Sequence, residues 1–308
     1  VARSGVVGLS LAALAVVLTA CGTGNAADPA APTSTSVAFP TQDVVSAVQT
    51  DAAVRAELPP STKSLTLGTT LAPGTASLPH SGQVDGDKYV GVDVDLRDAV
   101  AKVLGITWTV QNGTFETIIP GVQNGKYDVG QDNFGVTAAR EKVVDFATYL
   151  TDGQSFLGPA DHGPSSVNAL TDLCGLTVAT SPGSTFQQIL TSGADKCAAA
   201  GKKPYTVQLF SDTAPIWLGL ANGKVDVYFG PTLSLKYDEK HVPNTKFLGQ
   251  FSSTPVGFVT GKGSPVAKAV SDAVNKLIKT GDYAKILAKW GVDSSGIPQS
   301  AVNPAPTL

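Results

Sequence analysis

The chain reads as an α/β protein of two similar lobes, each a mixed sheet flanked by helices, and three observations lead there. First, Asn124-Gly125-Lys126-Tyr127-Asp128-Val129 returns ninety-eight positions later as Asn222-Gly223-Lys224-Val225-Asp226-Val227. Second, the strand-like Leu65-Thr66-Leu67-Gly68 stands upstream of the first copy and Leu176-Thr177-Val178-Ala179 upstream of the second. Turn residues and a helical pattern follow each, so the same α/β unit is used twice. Third, the segment from Val256 onward holds one strand and two helical patterns, too little for a third domain. It is expected to return and complete the first lobe, which gives two chain crossings and a hinge.

Taken in order, residues 1–20 open Val-Ala-Arg-Ser-Gly and continue in an uncharged apolar run from Val6 to Leu18. A positive start and a hydrophobic core too short to span a bilayer make a signal peptide, not a transmembrane helix. The run ends Leu18-Thr19-Ala20-Cys21, which resembles a bacterial lipobox. Cys21 is therefore the expected mature N-terminus and lipidation site; an ordinary secretory signal that contains a cysteine is the alternative. Residues 21–40 are rich in Gly, Ala, Pro, Ser and Thr, with Asp28 their one charge. They offer little apolar surface to offset the entropy of ordering and read as a flexible tether. The expected location is the extracytoplasmic face of the cell membrane, held there through the N-terminal lipid. Residues 41–60 read as a helical extension, running from Gln42 to Glu57 and ending at Pro59-Pro60, that packs on the first lobe or serves as a spacer.

The first lobe is assigned to residues 64–151 plus 256–291, the second to 156–250, and a tail to 292–308, unstructured in pattern from Gln299 to Leu308. In the first lobe Asp93 can cap a helix carrying Val94, Leu96, Val100, Val103 and Leu104, which Gly105 ends. Ile118, Ile119 and Val122 form a helical stripe before the first echo, as Ile216, Trp217 and Leu220 do before the second. Gly125 and Gly223 suit a left-handed helix terminus. Ser184 or Thr185 can cap a helix through Leu190. Val256 to Thr260 reads as a strand; Ser264-Pro265 then opens a helix through Ile278, and Gly281 separates it from another over Tyr283 to Trp290.

Charge and cysteine usage narrow the function classes. There are 22 Lys and Arg against 25 Asp and Glu, and removing residues 1–20 takes away only Arg3, leaving a net of −4. That balance argues against nucleic acid as a partner. With Cys21 assigned to lipid, Cys174 and Cys197 remain, in a chain sent out of the reducing cytoplasm, and a disulfide between them is the economical reading. It would close a loop of roughly 22 residues, worth about 3 kcal/mol. No zinc spacing accompanies them. Neither Gly-x-Ser-x-Gly, His-Glu-x-x-His nor a phosphate-binding Gly-x-x-x-x-Gly-Lys-Ser/Thr occurs. His80, His162 and His241 are scattered in loop-like positions and read as surface residues. The expectation is a non-enzyme without cofactor or metal.

Four segments then stand in order: Val90-Gly91-Val92-Asp93-Val94-Asp95-Leu96, Phe115-Glu116-Thr117-Ile118-Ile119-Pro120-Gly121-Val122, Gly125-Lys126-Tyr127-Asp128-Val129, and Val136-Thr137-Ala138-Ala139-Arg140 followed by Val144-Asp145-Phe146. Over residues 64–291 the chain resembles the bacterial extracellular solute-binding proteins of family 3, which serve polar amino acid importers of the ABC type. The resemblance implies a type II periplasmic-binding-protein-like clamshell that closes on a small polar ligand, an amino acid or close relative. It also implies a membrane permease as partner, and a monomer is expected. It places Arg140 as the grip on the ligand carboxylate, with Thr137 capping the short helix that carries it. An arginine paired with Glu141 or Asp145 is the plainer alternative. Phe115 matches the aromatic that packs over the ligand side chain, or else belongs to the core. Gly183, Ser184 and Thr185, within Pro182-Gly183-Ser184-Thr185, occupy the place of a loop that meets the carboxylate from the second lobe, or form only a helix cap.

The chain also departs from the family. Many amino acid binders carry an acid shortly after the second-lobe Asp-Val strand, opposite the ligand's α-ammonium; here the stretch is Asp226-Val227-Tyr228-Phe229-Gly230-Pro231. The hydroxyl-rich first-lobe segment is replaced by Gln131-Asp132-Asn133-Phe134-Gly135, so Asp132 is expected to take over as counter-ion, with Asn133 and Gly135 beside it. Otherwise Asp132 is an ordinary solvated aspartate. If it lies outside the cleft, Tyr228, Phe229 and Trp217 are left as an aromatic wall suited to a methylated or guanidinium cation. Two other functions stay open on this fold: an enzyme such as a cyclohexadienyl dehydratase, and a ligand sensor uncoupled from transport.

Overall fold

A computed structural model describes residues 39–308 except Ala76, Asp85 and Asp87. The expected signal peptide, Cys21 and all but the end of the tether lie outside the described residues. No helix of the described residues is long and apolar enough to cross a membrane.

The first lobe contains α1 (Ala52–Arg55), β1 (Ser64–Thr69), the short hairpin β2 (Gly82–Gln83) and β3 (Tyr89–Val90), α2 (Val92–Leu104), β4 (Thr107–Asn112), α3 (Phe115–Gln123), β5 (Val129–Gly135) and α4 (Ala138–Glu141). The long β6 (Val144–Pro159) leads out of it. The second lobe holds β7 (Thr177–Thr180), α5 (Thr185–Ser192), α6 (Lys196–Ala199), β8 (Thr206–Leu209), α7 (Ala214–Ala221), β9 (Val227–Pro231) and α8 (Thr232–His241). The chain returns along β10 (Thr245–Gly261) to α9 (Val266–Thr280) and α10 (Asp282–Trp290).

Parallel trios form the heart of each lobe: β1 lies between β4 and β5, and β7 between β8 and β9. The antiparallel pair β6 and β10 joins them, pairing from Val144 opposite Gly261 to Pro159 opposite Thr245, with the register shifting at three points along the way. Hydrogen bonding is therefore continuous through eight strands, in the order β4-β1-β5-β10-β6-β9-β7-β8. The strand expected over Val256 to Thr260 is only the end of β10, whose other half belongs to the second lobe.

The repeated Asn-Gly-Lys-x-Asp-Val has a structural cause. Asp128 Oδ2 accepts from the Thr66 backbone N–H at 2.7 Å, and Asp226 Oδ2 accepts from the Thr177 N–H at 2.7 Å. Each aspartate satisfies the opening strand of its own lobe, while Asn124 and Asn222 close the turn onto Lys126 and Lys224. Apolar positions then separate into cores. One, centred on α2, α9 and α10, includes Leu96, Val100, Val270 and Leu277; another, in the second lobe, includes Phe156, Val178, Val227 and Phe229. The Cys174–Cys197 disulfide forms at the edge of the latter.

Several expectations need correction. Residues 42–57 are not one helix: only Ala52–Arg55 is α-helical, capped by Asp51. The segment holds to the first lobe by burying Val44, Val48 and Leu58. Asp93 is not a helix cap: α2 starts from Gly91, which has a φ of 145° and where any Cβ would collide with the His80 carbonyl. The tail is docked: Thr148 and Ala301 exchange hydrogen bonds, and the Asn303 side chain bonds Phe146 N–H and Asp145.

Candidate functional site

A cavity of about 580 Å³ opens between the lobes, within the range of small-molecule sites. The Thr137 hydroxyl accepts from the Arg140 N–H at 3.2 Å and so starts α4, the turn that carries this arginine. Arg140 Nη1 donates to the Gly135 carbonyl at 2.9 Å, and Nη2 crosses to the Gly183 carbonyl at 3.0 Å. The guanidinium lies 5.5 Å from the Phe115 ring centre and 5.6 Å from that of Phe134, and the two rings meet at 4.9 Å. Burial lowers the Arg140 pKa to about 10, with no carboxylate among its causes. The pairing with Asp145 does not occur: Asp145 is held by Lys262 at 2.7 Å.

Asp132 recedes into the cavity and accepts from the Thr70 hydroxyl at 2.5 Å. Burial raises its pKa to about 7, against the Thr70 hydrogen bond and with Asp93 and Glu116 adding to the rise. Asn133 takes a left-handed φ of 51°, unusual for a residue with Cβ. There its side-chain amide donates to Asp152 Oδ2 at 2.8 Å. From the second lobe, Gly183 (φ 68°) gives its N–H to the Gln187 side chain at 2.7 Å. Ser184 caps α5 by accepting from Gln187 N–H at 3.1 Å, while its own proton goes to the Ser181 carbonyl at 2.6 Å. Tyr228 packs edge-on to Trp217, centroids 5.6 Å apart, and burial raises its pKa.

Of the residues singled out in the sequence, Phe115, Asp132, Asn133, Gly135, Arg140, Ser184, Thr185 and Tyr228 line the cavity. Thr137 and Gly183 stand behind Arg140 and touch it, without lining the cavity themselves. Trp217 is also at the wall, whereas Phe229 is not: it stacks on Phe156 at 4.2 Å inside the second-lobe core. Sequence reasoning missed a buried polar cluster. His80, read as a surface residue, is 7% exposed, with Nδ1 3.3 Å from Asp93 and Nε2 3.1 Å from Asp152. Burial, the largest influence, opposes its charge, but the two carboxylates outweigh it and raise its pKa to about 10. Asp152 also accepts from Gly153 and Leu233 N–H, tying the first lobe to α8. Asp238, on α8, lines the cavity as well; no motif marks it.

A cleft between two α/β lobes joined by two crossing strands defines a binding protein that encloses its ligand by closure. The model of the bacterial extracellular solute-binding proteins, family 3, matches residues 72–293, and the chain belongs to that family. Its role is solute binding. The arginine-binding protein ArgT of Corynebacterium glutamicum is 28% identical over 230 residues, 71% of this chain and 72% of the relative. The ABC transporter glutamine-binding protein GlnH of Bacillus subtilis is 29% identical over 218 residues, 69% and 74% of the two chains. Among solved structures, an ancestral arginine-binding protein bound to arginine superposes with a TM-score of 0.65 at 30% identity, covering 74% of this chain and 97% of that one.

Proposed function

We propose that this protein captures an α-amino acid for an ABC importer, as a monomer held by lipid on Cys21 at the extracytoplasmic face of the cell membrane. The observation that carries the reading is Arg140: a cavity-lining guanidinium aimed by two backbone carbonyls and two aromatic rings, with no carboxylate bonded to it among the described residues. Two of its five N–H donors are used, so three remain for a carboxylate in bidentate geometry. Thr185 and Phe186, the first residues of α5, line the same cavity from the other lobe, and a helix N-terminus favours the same anion. In this reading Asp132 receives the α-ammonium, Asn133 and Gly135 frame it, Phe115 covers the side chain, and Tyr228 closes the far wall. The arginine- and glutamine-binding relatives support an amino acid as the solute.

A thermal-shift screen against amino acids, opines, betaines, polyamines and guanidino compounds tests the reading. The melting temperature should rise with α-amino acids, a response abolished in Arg140→Ala and weakened in Asp132→Ala. A response confined to compounds without a primary α-ammonium would keep a binding protein but replace its substrate. A second reading has one specific observation behind it: 27% identity, at a TM-score of 0.64, to an ancestral amino acid-binding protein described as a precursor of cyclohexadienyl dehydratase. Non-catalytic capture predicts no loss of water from prephenate or arogenate over a buffer control; measurable turnover would favour the enzyme.

A further inference from the structure

The acid missing after β9 has a counterpart seven residues beyond Pro231. Asp238 sits on α8 one turn after Ser234, and Pro231, Ser234 and Asp238 all line the cavity. This spacing puts Ser234 and Asp238 on one helix face. Asp238 is 1% exposed, and its Oδ2 finds no hydrogen-bond partner among the described residues. The same holds for the buried Trp217 Nε1, which belongs to the edge-on Trp217–Tyr228 pair of the cavity wall. A buried carboxylate without a donor is costly; a cation supplies that donor and is further favoured beside aromatic rings. Burial alone pushes the Asp238 pKa up to about 8, as expected for a carboxyl awaiting a counter-charge.

Position separates this acid from Asp132. Asp132 lies three residues before Gly135 on β5, within about 10 Å along the strand of the carbonyl that anchors Arg140. The α-ammonium and α-carboxylate share one carbon, so Asp132 and Arg140, both on the first lobe, suit that end. Asp238 belongs to the second lobe, which also brings Trp217 and Tyr228 to the cavity wall. We infer that Asp238, walled by Trp217 and Tyr228, is a subsite for a cationic side-chain terminus, a guanidinium or ammonium group, of the bound amino acid. The inference rests on the amino acid reading and makes that substrate a basic one.

The test is calorimetric titration with three probes: L-arginine; L-citrulline, its neutral near-isostere; and agmatine, which lacks the carboxylate. Wild type should bind arginine at least about ten-fold tighter than citrulline. In Asp238→Asn that ratio should fall below about three-fold, with circular dichroism verifying the fold. Trp217→Leu should shrink the ratio in the same direction. An undiminished preference in Asp238→Asn overturns the subsite; if Arg140→Ala meanwhile abolishes binding, the amino acid reading stands alone. Agmatine bound by wild type and Arg140→Ala alike, but lost in Asp238→Asn, would keep the subsite and sink the amino acid reading. Failure of all three probes with wild type overturns the subsite, and the response to the remaining α-amino acids then decides the amino acid reading.

Discussion

At the scale of single residues, His80, Asp132 and Asp238 share one sign of pH dependence. His80 has its pKa raised from 6.5 to about 10 in the fold, so its contribution to stability is complete below 6.5 and is lost as pH rises toward 10. Asp132 and Asp238 are raised from 3.8 to about 7 and about 8, so the folded state holds their protons while the unfolded chain releases them. In each case the folded form binds more protons, and stability falls as pH rises. The ligand-free protein should therefore lose melting temperature steadily from pH 5 to pH 9. Asp238→Asn should flatten the slope below pH 8, and His80→Gln the slope above 6.5; a flat or rising wild-type profile would refute this account of the cluster. Arg140 was legible in the sequence because a capped turn and a family motif surround it. His80 and Asp238 were not: their neighbours come from Asp93, Asp152, Trp217 and Tyr228, distant in the chain, and no local spacing encodes such meetings.

At the scale of elements, periodicity located α2, α3, α9 and α10, whose apolar stripes survive as core. It failed for residues 42–57, where only Ala52–Arg55 is helical and Val44 and Val48 are buried outside that turn, and for the tail, whose attachment is polar. Ser300 is 3% exposed and its hydroxyl meets that of Ser271 at 2.9 Å, while Asn303 fills three hydrogen-bonding positions around β6. Polar docking leaves no hydrophobic pattern to read. At about 1 kcal/mol per hydrogen bond, deletion of residues 299–308 should cost roughly 2–4 kcal/mol in urea denaturation, and a loss under about 0.5 kcal/mol would show the tail to be a passive passenger. The Cys174–Cys197 bridge was legible from redox logic alone, and replacing both cysteines by serine should cost about 3 kcal/mol. An unchanged denaturation midpoint would contradict that.

At the scale of the molecule, the internal echo revealed two lobes but not that β6 and β10 thread both in one continuous ladder, because long-range register leaves no repeat in the chain. The lobes meet across the cleft through Arg140 to the Gly183 carbonyl at 3.0 Å and Ser211 to Glu116 at 3.1 Å. Contacts of this kind hold a closed arrangement weakly, and on the proposed reading ligand binding energy selects it. On that reading, Arg140 is central to both closure and capture. The most direct test is calorimetric titration of L-arginine and L-glutamine into wild type and Arg140→Ala, with circular dichroism to verify the fold. Any amino acid that wild type binds should lose about 2–5 kcal/mol of affinity in the variant, since its carboxylate enters a desolvated cleft without a partner. Equal affinity in a folded Arg140→Ala would contradict the assignment of the carboxylate to this arginine, and with it the account of how the cleft holds its solute.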